Sequence, residues 1–331
     1  MNKVVKIIPY FGQWPPFINI YLQSCNNNRN VLDVLFITDL KPLQNAPDNV
    51  RFHSMLFSDL KSLIEKKIQL ELPNFAPYKL CDFRPAYGEI FEDIIHGYDF
   101  WAYGDIDLVY GQLDQFITED VISRHDILAF KKGHLHGPFT IYRNVDKINK
   151  LYTEGSYREI FQNSEYQSFD EFSKKPFYTQ ITNESEILDL PNNNISVIAF
   201  KKELANRIKV FNKQYVKEDL SQDEVIVYDH GRVYNFHTEE NYLFYHWVLE
   251  KRFIWYNYPK WLPEAPKVFY MSISGFYNEN NFKDYTNIHE NVIKYGMRQW
   301  WLLKIKNYIK RRIGLKVSVD TYPKRGWVKP L

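Results

Sequence analysis

Tyr98-Asp99-Phe100-Trp101-Ala102-Tyr103-Gly104-Asp105-Ile106-Asp107-Leu108-Val109-Tyr110-Gly111 reads as an aromatic strand that runs directly into two carboxylates separated by one apolar residue. In extended backbone, alternate residues share a face, so Asp105 and Asp107 can point the same way while Ile106 turns into the core. Gly104 permits close backbone approach just ahead of them. An isolated Asp-x-Asp is also what a solvated turn looks like, so the flanking sequence has to decide.

Upstream, Val4–Pro9 reads as a buried strand stopped by proline, Pro15–Cys25 as a helix opened by proline, and Val31–Asp39 as a second strand. Val50–Met55 gives a third strand, Phe57–Ile68 a helix, and Lys79–Ile95 a further helix with apolar residues every three or four positions. Strand, helix, strand predicts an α/β fold with a mixed, mostly parallel, Rossmann-like sheet flanked by helices. In such open sheets ligands collect at the carboxyl ends of the strands, which is where Asp105 falls. Downstream strand candidates are Asp126–Phe130, Phe139–Arg143, Ser196–Phe200, Val225–Tyr228 and Val233–Phe236. Ser164–Asn194 is polar and poorly periodic, which suits a mobile connection over a site or a surface loop equally. Tyr295–Ile313 reads as an amphipathic helix.

The chain has 331 residues, 45% hydrophobic and 17% aromatic, enough for one large α/β domain with a C-terminal appendage. We divide it into a catalytic domain over 1–290 and a basic extension over 291–331. Cys25 and Cys81 make no disulfide framework and sit in no metal spacing. The N-terminal run is too short for a signal peptide, and no apolar stretch approaches the roughly 18 residues of a spanning helix, so the expectation is a cytoplasmic protein. From Asn291 to Val319 there is no acidic residue, while Lys294, Arg298, Lys304, Lys306, Lys310, Arg311, Arg312 and Lys316 are all basic. Cations confined to one terminal segment argue against nucleic acid. With Trp300, Trp301, Ile305, Ile309 and Ile313 they fit peripheral contact with the inner face of a membrane, or an apolar face docked on the protein's own body.

The stretch Pro77-Tyr78-Lys79-Leu80-Cys81-Asp82-Phe83-Arg84-Pro85-Ala86-Tyr87-Gly88, the acidic strand end and the opening Ile8-Pro9-Tyr10-Phe11-Gly12 resemble bacterial GT-A-fold glycosyltransferases associated with surface-polysaccharide (O-antigen or capsule) synthesis. The likeness covers roughly the first 145 residues. It implies a metal-dependent transferase that moves a sugar from a nucleotide-sugar donor, UDP favoured, to a glycan or lipid-linked saccharide acceptor. Asp105 and Asp107 would then be the DXD pair, binding Mn²⁺ or Mg²⁺, for which hard carboxylate oxygens are suited. A cation there would neutralise charge on the departing diphosphate.

Carried over by position, the resemblance places Pro9 and Tyr10 beside the base and ribose, with Asp39 accepting a hydrogen bond from uracil or ribose. Tyr78, Lys79, Asp82 and Arg84 would line the donor pocket. Lys79 with Asp82 could instead be a helix-surface pair, and Asp39 ordinary turn chemistry. Of His134, His136, His230, His237 and His246, the last is the expected third metal ligand and His237 the second choice. Asp170 and Glu171 are candidates for a general base. A metal-dependent nucleotidyl or phosphoryl transferase also needs carboxylates and a cation, but no Walker A pattern is present. A carbohydrate-binding protein that uses its aromatic residues is the non-enzymatic alternative.

Overall fold

The computed structural model describes residues 3–172, 185–253 and 255–313. Its first strands are short apolar runs bounded by breakers: β1 (Val4–Pro9), β2 (Leu32–Thr38), β3 (Val50–Ser54) and β4 (Phe100–Gly104). β1 pairs in parallel with β2 and β4, and β2 in parallel with β3. Helix α1 (Ile18–Asn27) lies between β1 and β2 in the chain, and α2 (Phe57–Ile68) follows β3. α2 buries Leu60, Ile64 and Ile68, one side chain per turn on a single face.

After β5 (Leu108–Tyr110) come β6 (Ile127–Ala129), β7 (Phe139–Arg143) and β8 (Val210–Asn212). They complete a seven-stranded sheet of order β3-β2-β1-β4-β7-β6-β8, in which β7 runs antiparallel to both neighbours and β6 parallel to β8. The chain therefore forms the mixed, mostly parallel α/β sheet that its sequence predicts, and the last described element is a long helix.

It divides into two compact units. The first comprises the chain up to Pro15, Leu22–Ile106 and Gln112–Val216, and holds the seven-stranded sheet. The second comprises Pro16–Tyr21, Asp107–Gly111 and the chain from Lys217 onward. After β9 (Val216–Glu218), β10 (Ile226–Asp229) and β11 (Arg232–Asn235) join β13 (Val268–Ser272) and β14 (Gly275–Tyr277) in an antiparallel sheet. β12 (Phe244–His246) lies between β5 and β9 in a three-stranded sheet.

Three sequence expectations are corrected. Lys79–Ile95 is not one helix: Pro77–Ala86 is a 3-10 segment with Pro85 inside it, followed by single turns Tyr87–Ile90 and Glu92–Ile95. Proline lacks the N–H that an α-helix would use there and crowds the preceding turn. Ser196–Phe200 is not a strand but part of helix α3 (Ile195–Leu204), whose first turn is capped by Asn194 accepting the Val197 N–H at 3.0 Å. Ile195 through Phe200 are all buried, and a run without a polar face does not display its period. Ser164–Asn194 is not loose at its start, where Phe169 and Asp170 are wholly buried; residues 173–184 lie outside those described. The last helix, α4 (Tyr285–Arg312), begins earlier than the expected Tyr295.

Gly104 closes β4 against β7, where a Cβ would lie 1.9 Å from the Pro138 carbonyl oxygen. That oxygen accepts the Asp105 N–H at 3.1 Å, so the close approach fixes the strand end carrying the first carboxylate. Gly104→Ala should destabilise the fold by about 2 kcal/mol or more, because backbone rather than a pliable side chain must move. Chemical denaturation checks this, and an unchanged midpoint would refute it.

Candidate functional site

Parallel pairing aligns the carboxyl ends of three neighbouring strands in the first unit. Pro9 pairs with Ile37, and Ile7 with Tyr103, so Asp39, Pro9–Tyr10 and Asp105 all fall at one edge of the sheet. Tyr10 donates its N–H to the Ile37 carbonyl, donates its hydroxyl proton to the Gln13 carbonyl, and stacks on Trp14 with centroids 5.2 Å apart. Asp39 is exposed just past β2.

Asp105 is held by two cations of this unit. Lys6, buried in the middle of β1, donates to its backbone carbonyl at 2.6 Å, and Arg84 donates to its carboxylate. The same guanidinium donates to Asp170 at 2.8 Å and to the Gly137 carbonyl at 3.1 Å. Asp170 also accepts from the Tyr166 hydroxyl at 2.9 Å. Burial pushes the Asp170 carboxyl up to about 8, against the pull of Arg84. Asp170 is thus committed on both oxygens, whereas Glu171 is partly exposed.

Lys79 and Asp82 are paired with each other in the interior, at 2.8 Å and with side chains 1% and 0% exposed. The three Lys79 protons go to Asp82, the Ile160 carbonyl and the Glu165 carbonyl, and Asp82 accepts the N–H groups of Gln167 and Phe169. The surface-pair alternative gives way to an internal clamp on the segment that carries Tyr166 and Asp170. Tyr78, by contrast, is largely exposed and meets Tyr166 edge-on at 5.0 Å.

In the second unit, Asp107 leads into β5, whose Leu108 pairs with His246 of β12. His246 Nε2 lies 3.4 Å from the Asp107 carboxylate, and its Nδ1 is 2.6 Å from Glu218 at the end of β9. Lys251, one turn beyond β12, forms an ion pair with the same Asp107 oxygen. Burial works against a charge on His246, but Asp107 and Glu218 override it and hold the imidazole up to about 10. Burial likewise opposes the Asp107 charge, which His246 and Lys251 nevertheless hold well below the ordinary carboxylate range. His237, the second choice, is exposed after β11. Glu218 and Lys251 were not singled out from the sequence: no local pattern distinguishes Glu218, and Lys251 is marked only by its spacing from His246.

A carboxylate and an imidazole fixed by a second carboxylate are a donor set suited to a divalent cation, and Asp105 lies two residues upstream.

The profile of a family of unknown function, DUF6625, matches residues 6–260. The chain belongs to that family. No curated protein sequence matches it. Among solved structures it is similar to apo mouse xyloside xylosyltransferase 1, with 11% identity over 75% of this chain and 97% of that one, at a TM-score of 0.36. The galactosyltransferase LgtC, in complex with donor and acceptor sugar analogs, shows 10% identity over 50% and 66%, at 0.31. GlyE of Streptococcus pneumoniae TIGR4 shows 12% over 50% and 45%, at 0.28. This chain thus spans less than two thirds of the LgtC and GlyE chains. At such scores the side chains of this chain, not its neighbours, carry the functional reading.

Glu218→Gln keeps an acceptor for His246 but removes a charge. The His246 imidazole should then titrate at lower pH by NMR. An unchanged titration would assign Glu218 to packing alone.

Glu250, wholly buried, accepts the Leu220 N–H at 2.7 Å and is pushed by burial from 4.5 up to about 7. The folded state therefore holds a proton that the unfolded chain releases, so this contribution is full below pH 4.5 and is lost as pH rises through about 7. Glu250→Gln should remove up to about 3 kcal/mol of that loss at alkaline pH. Parallel stability–pH curves for the two proteins would show the attribution to be wrong.

Proposed function

We propose that the chain is a metal-dependent glycosyltransferase, and the observation that carries this reading is the Asp107–His246–Glu218 chain of contacts directly following Asp105. Asp105, Asp107 and His246 would hold Mn²⁺ or Mg²⁺. A bound cation supplies positive charge against the diphosphate leaving group. Lys251 shares its Asp107 oxygen with His246, so when that oxygen is engaged elsewhere the ammonium is available to pair with a phosphate. His246 must give up its proton to act as a ligand, so metal affinity should rise with pH.

Pro9, Tyr10 and Asp39 would receive the base and ribose, UDP being favoured, at the strand ends where open sheets bind ligands. Arg84 acts by fixing the Asp105 carboxylate, and exposed Tyr78 offers a ring to a sugar. Glu171 is the better-placed candidate base, since Asp170 is buried and committed on both oxygens. The acceptor would be a glycan or lipid-linked saccharide in bacterial surface-polysaccharide synthesis, met at the inner face of the cytoplasmic membrane. Residues 1–290 would form the catalytic domain and 291–331 its basic extension.

Mn²⁺-dependent release of UDP from a UDP-sugar, without acceptor, tests the reading. Asp107→Asn should reduce it about a hundredfold or more, with a lowered Tm because His246 and Lys251 lose their buried partner. UDP with Mn²⁺ should also raise the wild-type Tm through binding to the folded state. Wild-type turnover in the variant with metal still required would overturn the site. Consumption of nucleoside triphosphates instead would identify a nucleotidyl or phosphoryl transferase, and sugar binding without turnover a carbohydrate-binding protein.

A further inference from the structure

α4 has two apolar faces rather than one. It turns about 100° per residue, so Gly296, Trp300 and Asn307 fall on one narrow arc, and this is the face that packs within its own unit. A Cβ on Gly296 would come 2.4 Å from the Trp255 ring, and Trp300 and Asn307 are 7% and 2% exposed. On the other side, Trp301, Leu302, Ile305, Tyr308, Ile309 and Ile313 share an arc of roughly 140°. Each of these six is more than half exposed, from 51% at Leu302 to 64% at Ile313. They form half of the large exposed hydrophobic side chains among the described residues.

From Asn291 onward the charges around this second face have one sign, while Glu290 at its edge pairs with Lys294 at 3.4 Å. Lys294, Arg298 and Arg312 lie within the arc, and Lys304 and Lys306 border it. No Asp or Glu occurs between Asn291 and Val319. Pairing two copies of this face would bring like charges together with no acidic partner in the segment, which disfavours self-association. No described helix is long and apolar enough to cross a membrane, so the surface suits an interface rather than a span. Apolar side chains at the acyl boundary with cations at the head groups are the arrangement of an interfacial helix.

We infer that the Trp301–Ile305–Ile309 face of α4 docks on an anionic phospholipid leaflet while the Gly296–Trp300–Asn307 face holds the helix to the protein. This deepens the membrane-side part of the proposed function and rests on α4 alone. The measurement uses no nucleotide sugar, so it fails or succeeds independently of sugar transfer.

The test is flotation of the full chain with vesicles of phosphatidylcholine alone or mixed with phosphatidylglycerol. Binding should require phosphatidylglycerol and be released by high salt. The triple variant Trp301→Ser, Ile305→Ser, Ile309→Ser should lose binding with its Tm unchanged, since these side chains are exposed. Arg298→Gln with Lys306→Gln should weaken partition about tenfold or more, because each cation near the surface contributes separately. Failure of the wild-type chain to bind anionic vesicles at low salt would overturn the inference, as would full binding by either variant. A dimer formed without lipid and abolished by the serine substitutions would overturn it in favour of a second copy.

Discussion

A guanidinium shielded from water must be matched by acceptors, and Arg84 is matched by two carboxylates from distant parts of the chain, Asp105 and Asp170. Its planar fork can serve both at once, which a lysine ammonium would do with less directional control. The Gly137 carbonyl completes the set. One turn earlier in the same 3-10 segment, the buried Lys79–Asp82 pair takes up the backbone of Gln167 and Phe169. A short helical segment with a proline inside it therefore ties the end of β4 to the segment that carries Tyr166, Asp170 and Glu171. Removing either acid or base would leave a buried charge behind, which costs more than the pair itself contributes.

Two carboxylates two residues apart repel one another unless each has its own cation. Here the division between the compact units falls between Ile106 and Asp107, inside the acidic motif. Asp105 is held by Lys6 and Arg84 in the first unit, and Asp107 by His246 and Lys251 in the second. The motif is thus one of the places where the chain passes between the units, with a separately stabilised charge network on each side. Exchanging the proton of His246 for a divalent ion would add one positive charge beside Asp107, so that carboxylate would remain matched.

Much of the sheet was legible because its strands are short apolar runs bounded by proline, glycine or turn residues, as at Val4–Pro9 and Phe100–Gly104. α2 was legible to the residue because its buried positions recur once per turn. The readings that failed lacked such a contrast. Leu80, Phe83, Ala86 and Tyr87 have helical spacing, but Pro85 interrupts the helix, and in Ile195–Phe200 burial on every side erased the period. The acidic motif could be read because its residues are close in sequence. Glu218 could not, because only the β5–β12–β9 pairing brings it to His246 from 28 residues away.

The last helix shows the same limit in another form. A sequence wheel collects Trp301, Ile305, Tyr308 and Ile309 into one apolar surface and leaves open whether protein or membrane covers it. Packing decides it. Gly296 allows Trp255 to come close, and that contact fixes the rotation of the helix, turning Trp300 inward and leaving the neighbouring Trp301 53% exposed. Were the broad apolar arc the docking face, the cations within and beside it would be desolvated against the protein without acidic partners, at a cost that buried apolar area would have to offset. The narrow face is itself flanked by a cation, since Lys304 lies 3.9 Å over the Trp300 ring. The contact of Gly296 with Trp255, rather than the position of the basic residues, therefore accounts for which of the two faces packs, and the exposed one keeps both its apolar area and its charge.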